Sequence, residues 1–259
     1  RYMAMAVGGL ILTLTAFAWL RRWRGDTTSG VLWPTLTLIW VCVQGAFGAL
    51  TVTMKLFPLI VTLHLMGGLI LLGLLTLQVQ RHRWLAEHVQ PIRLQPLLYG
   101  ATLVGFALLT LQILLGGWVS TNYAVLACNT FPKCQNSWWP QMDFTQGFTL
   151  WRHLGMNASG EPLTFESLTA IHYVHRLAAY AVLAYLGVLA WQLRRVTACS
   201  SAAHGLLAVL LLQLVTGLSN VVLDWPLLAA VLHTGGAAAL LVILVALLSG
   251  ARVSRTVLN

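Results

Sequence analysis

Seven apolar runs, at about residues 2 to 20, 31 to 54, 57 to 79, 97 to 122, 167 to 193, 202 to 223 and 226 to 249, take up most of the 259-residue chain. Each is close to or above the roughly 20 residues that a helix needs to cross a bilayer. None alternates as a strand would, and a lone segment in hydrocarbon must satisfy its own backbone hydrogen bonds, so all seven are predicted to be helices. The composition agrees: 58% of residues are hydrophobic and 8% charged, too few charges to clothe a soluble domain. The expected fold class is an all-α polytopic membrane protein. The net charge of +9 does not point to nucleic acid, because the basic residues stand at the ends of apolar runs and form no patch.

Those basic residues predict sidedness. Arg21, Arg22, Arg24, Arg81, Arg83, Arg93, Arg194, Arg195, Arg252 and Arg255 mark one face, predicted to be cytoplasmic along with the C-terminus. Lys55, Lys133 and Arg152 lie on the opposite face, with Arg1 and Arg176 near its membrane boundary. Residue 1 is thus expected outside. A chain that opens with Arg1 at the mouth of a helix is expected to lack an earlier segment, namely an eighth helix and its outer loop. A cleaved signal peptide is the alternative.

The chain also repeats itself. An ungapped offset of 169 carries Gln44 onto Gln213, Gly48 onto Gly217, His64 onto His233 and Gly67 onto Gly236, with Pro58 and Pro226 one place out of step. More loosely, Arg1-Tyr-Met-Ala-Met-Ala matches Arg176-Leu-Ala-Ala-Tyr-Ala, which puts the counterpart of His175 just before Arg1. Gln112 and Gly116 have the same spacing as the other two Gln-x-x-x-Gly pairs and open the second unit. The reading is two homologous four-helix bundles in tandem, the first lacking its opening helix: residues 1–80, a cytoplasmic linker at 81–96, and residues 97–259 with an outer loop at 123–166.

Four of the eight histidines, His82, His88, His153 and His204, fall in loops or at helix ends and read as solvated or interfacial. His64, His172, His175 and His233 lie inside apolar runs. His64 and His233 sit about seven residues in from the outer ends, roughly 10 Å at the helical rise, and His175 is about as deep. Two imidazoles at one depth in a bundle can hold a metal from opposite sides. Without neighbouring carboxylates a zinc or di-iron site is poorly supported, whereas a haem with two axial histidines fits. The ordinary alternative is a histidine that only bonds a neighbouring helix. His172, one turn outward of His175, competes with it, and the repeat favours His175. Arg176 is either a partner for a haem propionate or a snorkelling anchor. Gly217, Gly235 and Gly236 could admit close-packed backbones and a flat ring, and Gln44, Gln112 and Gln213 read as glue between helices.

Cys128 and Cys134 flank Asn-Thr-Phe-Pro-Lys in the outer loop. On an oxidising side they are expected to form a disulfide, as a structural clip or a redox relay. The rest of the loop, from Trp138 to Phe165, should lie over the bundle mouth with Trp138, Trp139 and Trp151 at the interface.

These residues resemble a known family. Gly116-Gly-Trp-Val with Cys128 and Cys134, Ile171-His-Tyr-Val-His-Arg176, Gln44-Gly-Ala-Phe-Gly-Ala-Leu-Thr-Val with Pro58 and His64, and Gln213 through His233 are together similar to the haem A synthases, which convert haem O to haem A for terminal oxidases. The resemblance implies haem b held by His175 and His233, and haem O as substrate beside His64, whose second ligand would precede Arg1. It also implies an acidic residue and a further cysteine pair in a first outer loop that this chain does not contain. The implied reaction oxidises the C8 methyl to a formyl group by successive hydroxylations. Implied partners are haem O, membrane lipid, haem O synthase and oxidase assembly proteins, with a homo-oligomer left open and no nucleic acid. Two rival classes remain on the residues alone: a di-haem electron-transfer cytochrome, and a haem transporter or oxidase assembly factor.

Overall fold

The computed structural model describes residues 2–26 and 30–253; Arg1 and Arg255, used above for sidedness, lie outside the described residues. Helix α1 spans Tyr2–Trp23, α2 Leu32–Thr53, α3 Pro58–Leu85, α4 Pro96–Thr121, α5 Phe144–Gly147, α6 Phe165–Leu193, α7 Ser200–Val222 and α8 Leu227–Gly250. All but α5 are long and apolar enough to cross a membrane. The protein is an all-α polytopic membrane protein.

The helix starts follow from their residues. Pro58 and Pro96 open α3 and α4, where a missing N–H costs nothing and φ is already helical. Thr164 caps α6 by accepting from the Ser167 backbone N–H at 3.3 Å. Arg21 and Arg22 close α1, and His82 and Arg83 close α3, placing positive charge at the negative ends of their dipoles. Helix α3 runs six residues beyond its apolar stretch, because Gln78 to Arg83 are good helix formers that can leave the bilayer without unwinding.

The repeat holds in the backbone. Between α2 and α3, Lys55 and Leu56 take left-handed φ values of 51° and 59°; between α7 and α8, Asp224 and Trp225 take 53° and 62°. The Leu56 N–H donates to Thr51 at 2.9 Å, and the Trp225 N–H to Asn220 at 3.1 Å. Every one of these pairs is offset by 169. The two α-hairpins that share the Gln, Gly and His register therefore also turn in the same way.

Helices α7 and α8, α4 and α6, and α2 and α3 form the broadest contacts, while α3 and α4 both pack on α8 and α1 packs on α2. The main core lies between α4, α6, α7 and α8, where Leu186, Leu193, Leu206 and Leu244 are fully buried. At the basic end the segment read as a plain linker is partly ordered: β1 (Ile92–Leu94) pairs in parallel with β2 (Ala251–Val253), Arg93 opposite Arg252. Pro91 and Pro96 hold this stretch extended, and Leu94 is buried under it.

At the opposite, loop end, residues 123–164 are seated on the helices. Trp118 of α4 donates its indole N–H to the Gly147 carbonyl at 2.9 Å, and Asp143 caps α5 by accepting from Gln146 at 3.0 Å. The rings of Trp151 and His153 pack on Phe57, with centroids 4.7 and 5.6 Å away. A Cβ at Gly147 would stand 2.8 Å from the Ser167 carbonyl oxygen in α6, a backbone atom that cannot step aside. Gly147→Ala is expected to lift the loop, lowering the thermal unfolding midpoint in detergent by a few degrees and speeding proteolysis between residues 138 and 160; an unchanged digestion pattern would show that the loop is held elsewhere.

Candidate functional site

Three intramembrane imidazoles share one kind of seat. The Gln44 amide donates to the His64 carbonyl at 2.5 Å, Gln112 to the His175 carbonyl at 3.1 Å and Gln213 to the His233 carbonyl at 2.7 Å. Four residues after each glutamine stands a glycine, and the imidazole edge occupies the room it leaves. A Cβ added at Gly48, Gly116 or Gly217 would lie 3.1, 2.9 or 3.1 Å from the Cε1 of His64, His175 or His233. Glutamine thus fixes the height of the histidine against its neighbour helix, and glycine fixes the plane of the ring. Gly67 and Gly236 do the same for the glutamines, since a Cβ there would run into the Gln44 or Gln213 amide.

This redistributes the glycine roles expected from the sequence. Gly217 and Gly236 receive side chains, and of the three named there only Gly235 faces open space. The glutamines do bond helix to helix, as expected, but always at a histidine. His172 has no such seat: its Nδ1 lies 3.0 Å from the Ala124 carbonyl in the loop, and it is buried. The geometry groups His175, not His172, with His64 and His233.

The Nδ1 atoms differ. Thr216 donates its hydroxyl to the Leu212 carbonyl at 2.7 Å, so towards His233 Nδ1, 3.0 Å away, it is left to accept. That fixes Nδ1–H and leaves Nε2 bare, the tautomer a metal ligand needs. At His175 the contact runs the other way: the Gln112 amide nitrogen lies 3.0 Å from Nδ1 and can only donate to it, so that ring would have to exchange this contact before its Nε2 could bind a metal. His64 Nδ1 is buried with no hydrogen-bond partner. A cradle shaped to a ring edge at all three histidines, and at His233 a ring nitrogen kept unprotonated, fit residues that would hold a haem iron. Thr216 carries no sequence signal, since hydroxyls that bond back to their own helix are common in apolar helices.

Arg176 is 6% exposed, and its donors are engaged: Nη1 to the Thr130 and Lys133 carbonyls at 2.8 and 3.1 Å, and Nη2 to the Cys128 carbonyl at 2.8 Å. Cys128 and Cys134 are joined in a disulfide, and the loop they close is the one Arg176 holds. Tyr173, one turn outward, donates to the Trp138 carbonyl. The helix that carries His175 therefore also anchors the loop above it.

The fold and these seats define a class: a multi-pass helical membrane protein that seats three intramembrane imidazoles in the same way. A family model described as COX15-CtaA, cytochrome oxidase assembly protein, matches residues 1–245. Among curated relatives, a heme A synthase of Shewanella oneidensis is 36% identical over 95% of this chain and 72% of that protein. Heme A synthases of two Bradyrhizobium strains, ORS 278 and BTAi1, are 30% and 28% identical, each over 98% of this chain and 68% of theirs. The chain belongs to the COX15-CtaA family of cytochrome oxidase assembly proteins.

The seats make a direct prediction. Gly217→Val puts a branched side chain where the His233 ring edge lies, and haem retained per purified protein should fall at least about tenfold, as when the support of a metal ligand is lost. Gly187→Val, on α6 with nothing within 4 Å, should leave haem content near that of the wild type. Equal loss in both variants would mean that helix disruption, not the seat, is responsible.

Proposed function

We propose that this protein is a haem A synthase: a membrane oxidoreductase that takes haem O and oxidises its C8 methyl to a formyl group through successive hydroxylations. The relatives named heme A synthase support the activity. The single observation that carries the site is the shared Gln, Gly and His seat. In this reading His175 and His233 would hold a resident haem b, and His64 would hold the substrate haem. The haem iron supplies the redox chemistry when bound. The chain itself orients the imidazoles, keeps Nε2 of His233 free through Thr216, and covers the loop end against water.

The repeat supports two haem-holding halves, divided near residues 81–96. The basic end is assigned to the cytoplasm of a bacterial cell and the loop end to the outer side, where the disulfide is chemically at home. Haem O synthase and oxidase assembly proteins are the partners this chemistry calls for. Haem O is released from the first and haem A is consumed by the second.

Replacing either His175 or His233 by Ala should abolish the low-spin haem b spectrum, whereas His172→Ala should retain it. His64→Ala should keep haem b and lose the product. The measurement is acid–acetone extraction and chromatography of haems from cells that make haem O under air, with the protein expressed from its full reading frame. A wild-type protein that keeps two haems and accumulates no hydroxylated or formyl haem would instead be a di-haem electron-transfer cytochrome.

A further inference from the structure

The loop end holds a second buried guanidinium, and this one has donors to spare. Arg152 is 2% exposed. Its Nη1 donates to the Met156 carbonyl at 3.3 Å, and its guanidinium carbon stands 5.6 Å from the centre of the Trp118 ring. Nε and Nη2 are buried with no hydrogen-bond partner. Among the described residues the ion pairs are Arg21 with Asp26 and Arg83 with Glu87, so none of the loop carboxylates Asp143, Glu161 and Glu166 reaches Arg152. Desolvation holds its pKa below the ordinary arginine value, yet a guanidinium does not give up its proton in a protein. A buried positive charge in that state is costly unless an anion arrives.

The unpaired atoms indicate which anion. Nε and Nη2 form the side edge of the guanidinium, whose two parallel N–H groups match the two oxygens of a carboxylate. Arg176, the arginine the sequence offers for such a role, gives both Nη1 hydrogens and one Nη2 hydrogen to loop carbonyls, whereas Arg152 has a whole edge without a partner. The position also indicates where the anion comes from. Trp151 and His153, on either side of Arg152, both pack on Phe57, the residue before α3, and Trp118 lies near the end of α4. A Cβ at the adjacent Gly117 would touch Thr62 and Leu65, which flank His64 on α3. Arg152 therefore caps the loop end of the α3–α4 seam.

We propose that Arg152 is a carboxylate-binding site at the loop end of the α3–α4 seam and takes a propionate of the haem through Nε and Nη2. The proposal rests on the haem reading above, and its test separates the two. Protein purified from haem-deficient cells into phosphatidylcholine nanodiscs is titrated with iron protoporphyrin IX and with its dimethyl ester, which lacks the carboxylates. The wild type should bind the free acid roughly ten- to a hundredfold more tightly, the range for hydrogen bonds to a charged group. Arg152→Gln should lose that preference and Arg152→Lys keep part of it. If Arg152→Gln does not fold, the two monomethyl esters tested on the wild type decide: preference for one supports a single propionate contact, and indifference overturns it. An unchanged preference in Arg152→Gln overturns the proposal while the haem reading stands. Failure of the wild type to bind either porphyrin overturns both. A wild type indifferent to esterification that retains phosphatidylglycerol, which Arg152→Gln does not, makes the anion a lipid phosphate and overturns the propionate assignment.

Discussion

A polar side chain in hydrocarbon has no water to fall back on, so it must find its partner on another helix. Each of Gln44, Gln112 and Gln213 does so by donating to a backbone carbonyl at a histidine. That carbonyl already serves its own helix and has a second lone pair to offer. The bond therefore joins two helices without unravelling either. Because its acceptor is the histidine's own backbone, it also sets the height of the imidazole. A fastening that membrane helices need in any case becomes the device that sets the site. Glycine four residues along completes it, because only a missing Cβ leaves room for a ring edge at helix-contact distance.

The loop end obeys the same constraint with other materials. Its backbone does not form one continuous helix or sheet, so its carbonyls need donors, and several come from α4 and α6. Arg176 serves Thr130, Lys133 and Cys128, Tyr173 serves Trp138, and Trp118 serves Gly147. The disulfide shortens the span those donors must hold. The loop is thus an extension of α6, which carries His175, and of α4, which seats it, and a disturbance of the loop would be felt at the imidazole through α6.

The helices were legible in the sequence because the bilayer imposes one solution on a run of about 20 apolar residues. The repeat was legible because identical residue types recur in one register, and the matching left-handed turns at Lys55 and Asp224 show the same register in the backbone. What sequence could not give was direction. Arg176 beside a candidate ligand reads equally as a partner for cofactor or for loop, and only the fold shows its donors on carbonyls. Gly217 and Gly236 are small residues wherever they point, and the structure turns them towards His233 and Gln213. Arg152 lies in an irregular loop, where no periodicity announces burial. The pairing of β1 with β2 joins segments more than 150 residues apart, beyond the reach of local pattern.

The three seats are alike in backbone and differ at one atom. The offset that superposes His64 on His233 carries Phe47 onto Thr216, so the hydroxyl that accepts from His233 Nδ1 has an aromatic ring as its counterpart beside His64. A held Nδ1–H makes an imidazole a stronger and better oriented ligand, while a buried Nδ1 with no partner leaves the ring aligned by Gly48 alone. For a protein that keeps one haem and must pass another on, that inequality has the right sense. Under the function proposed above, the firmly oriented histidine would serve the haem that stays, and the less supported one the haem that must leave once it has been oxidised. The two seats share a glutamine and a glycine, and exchanging hydroxyl for ring is enough to make their grip unequal.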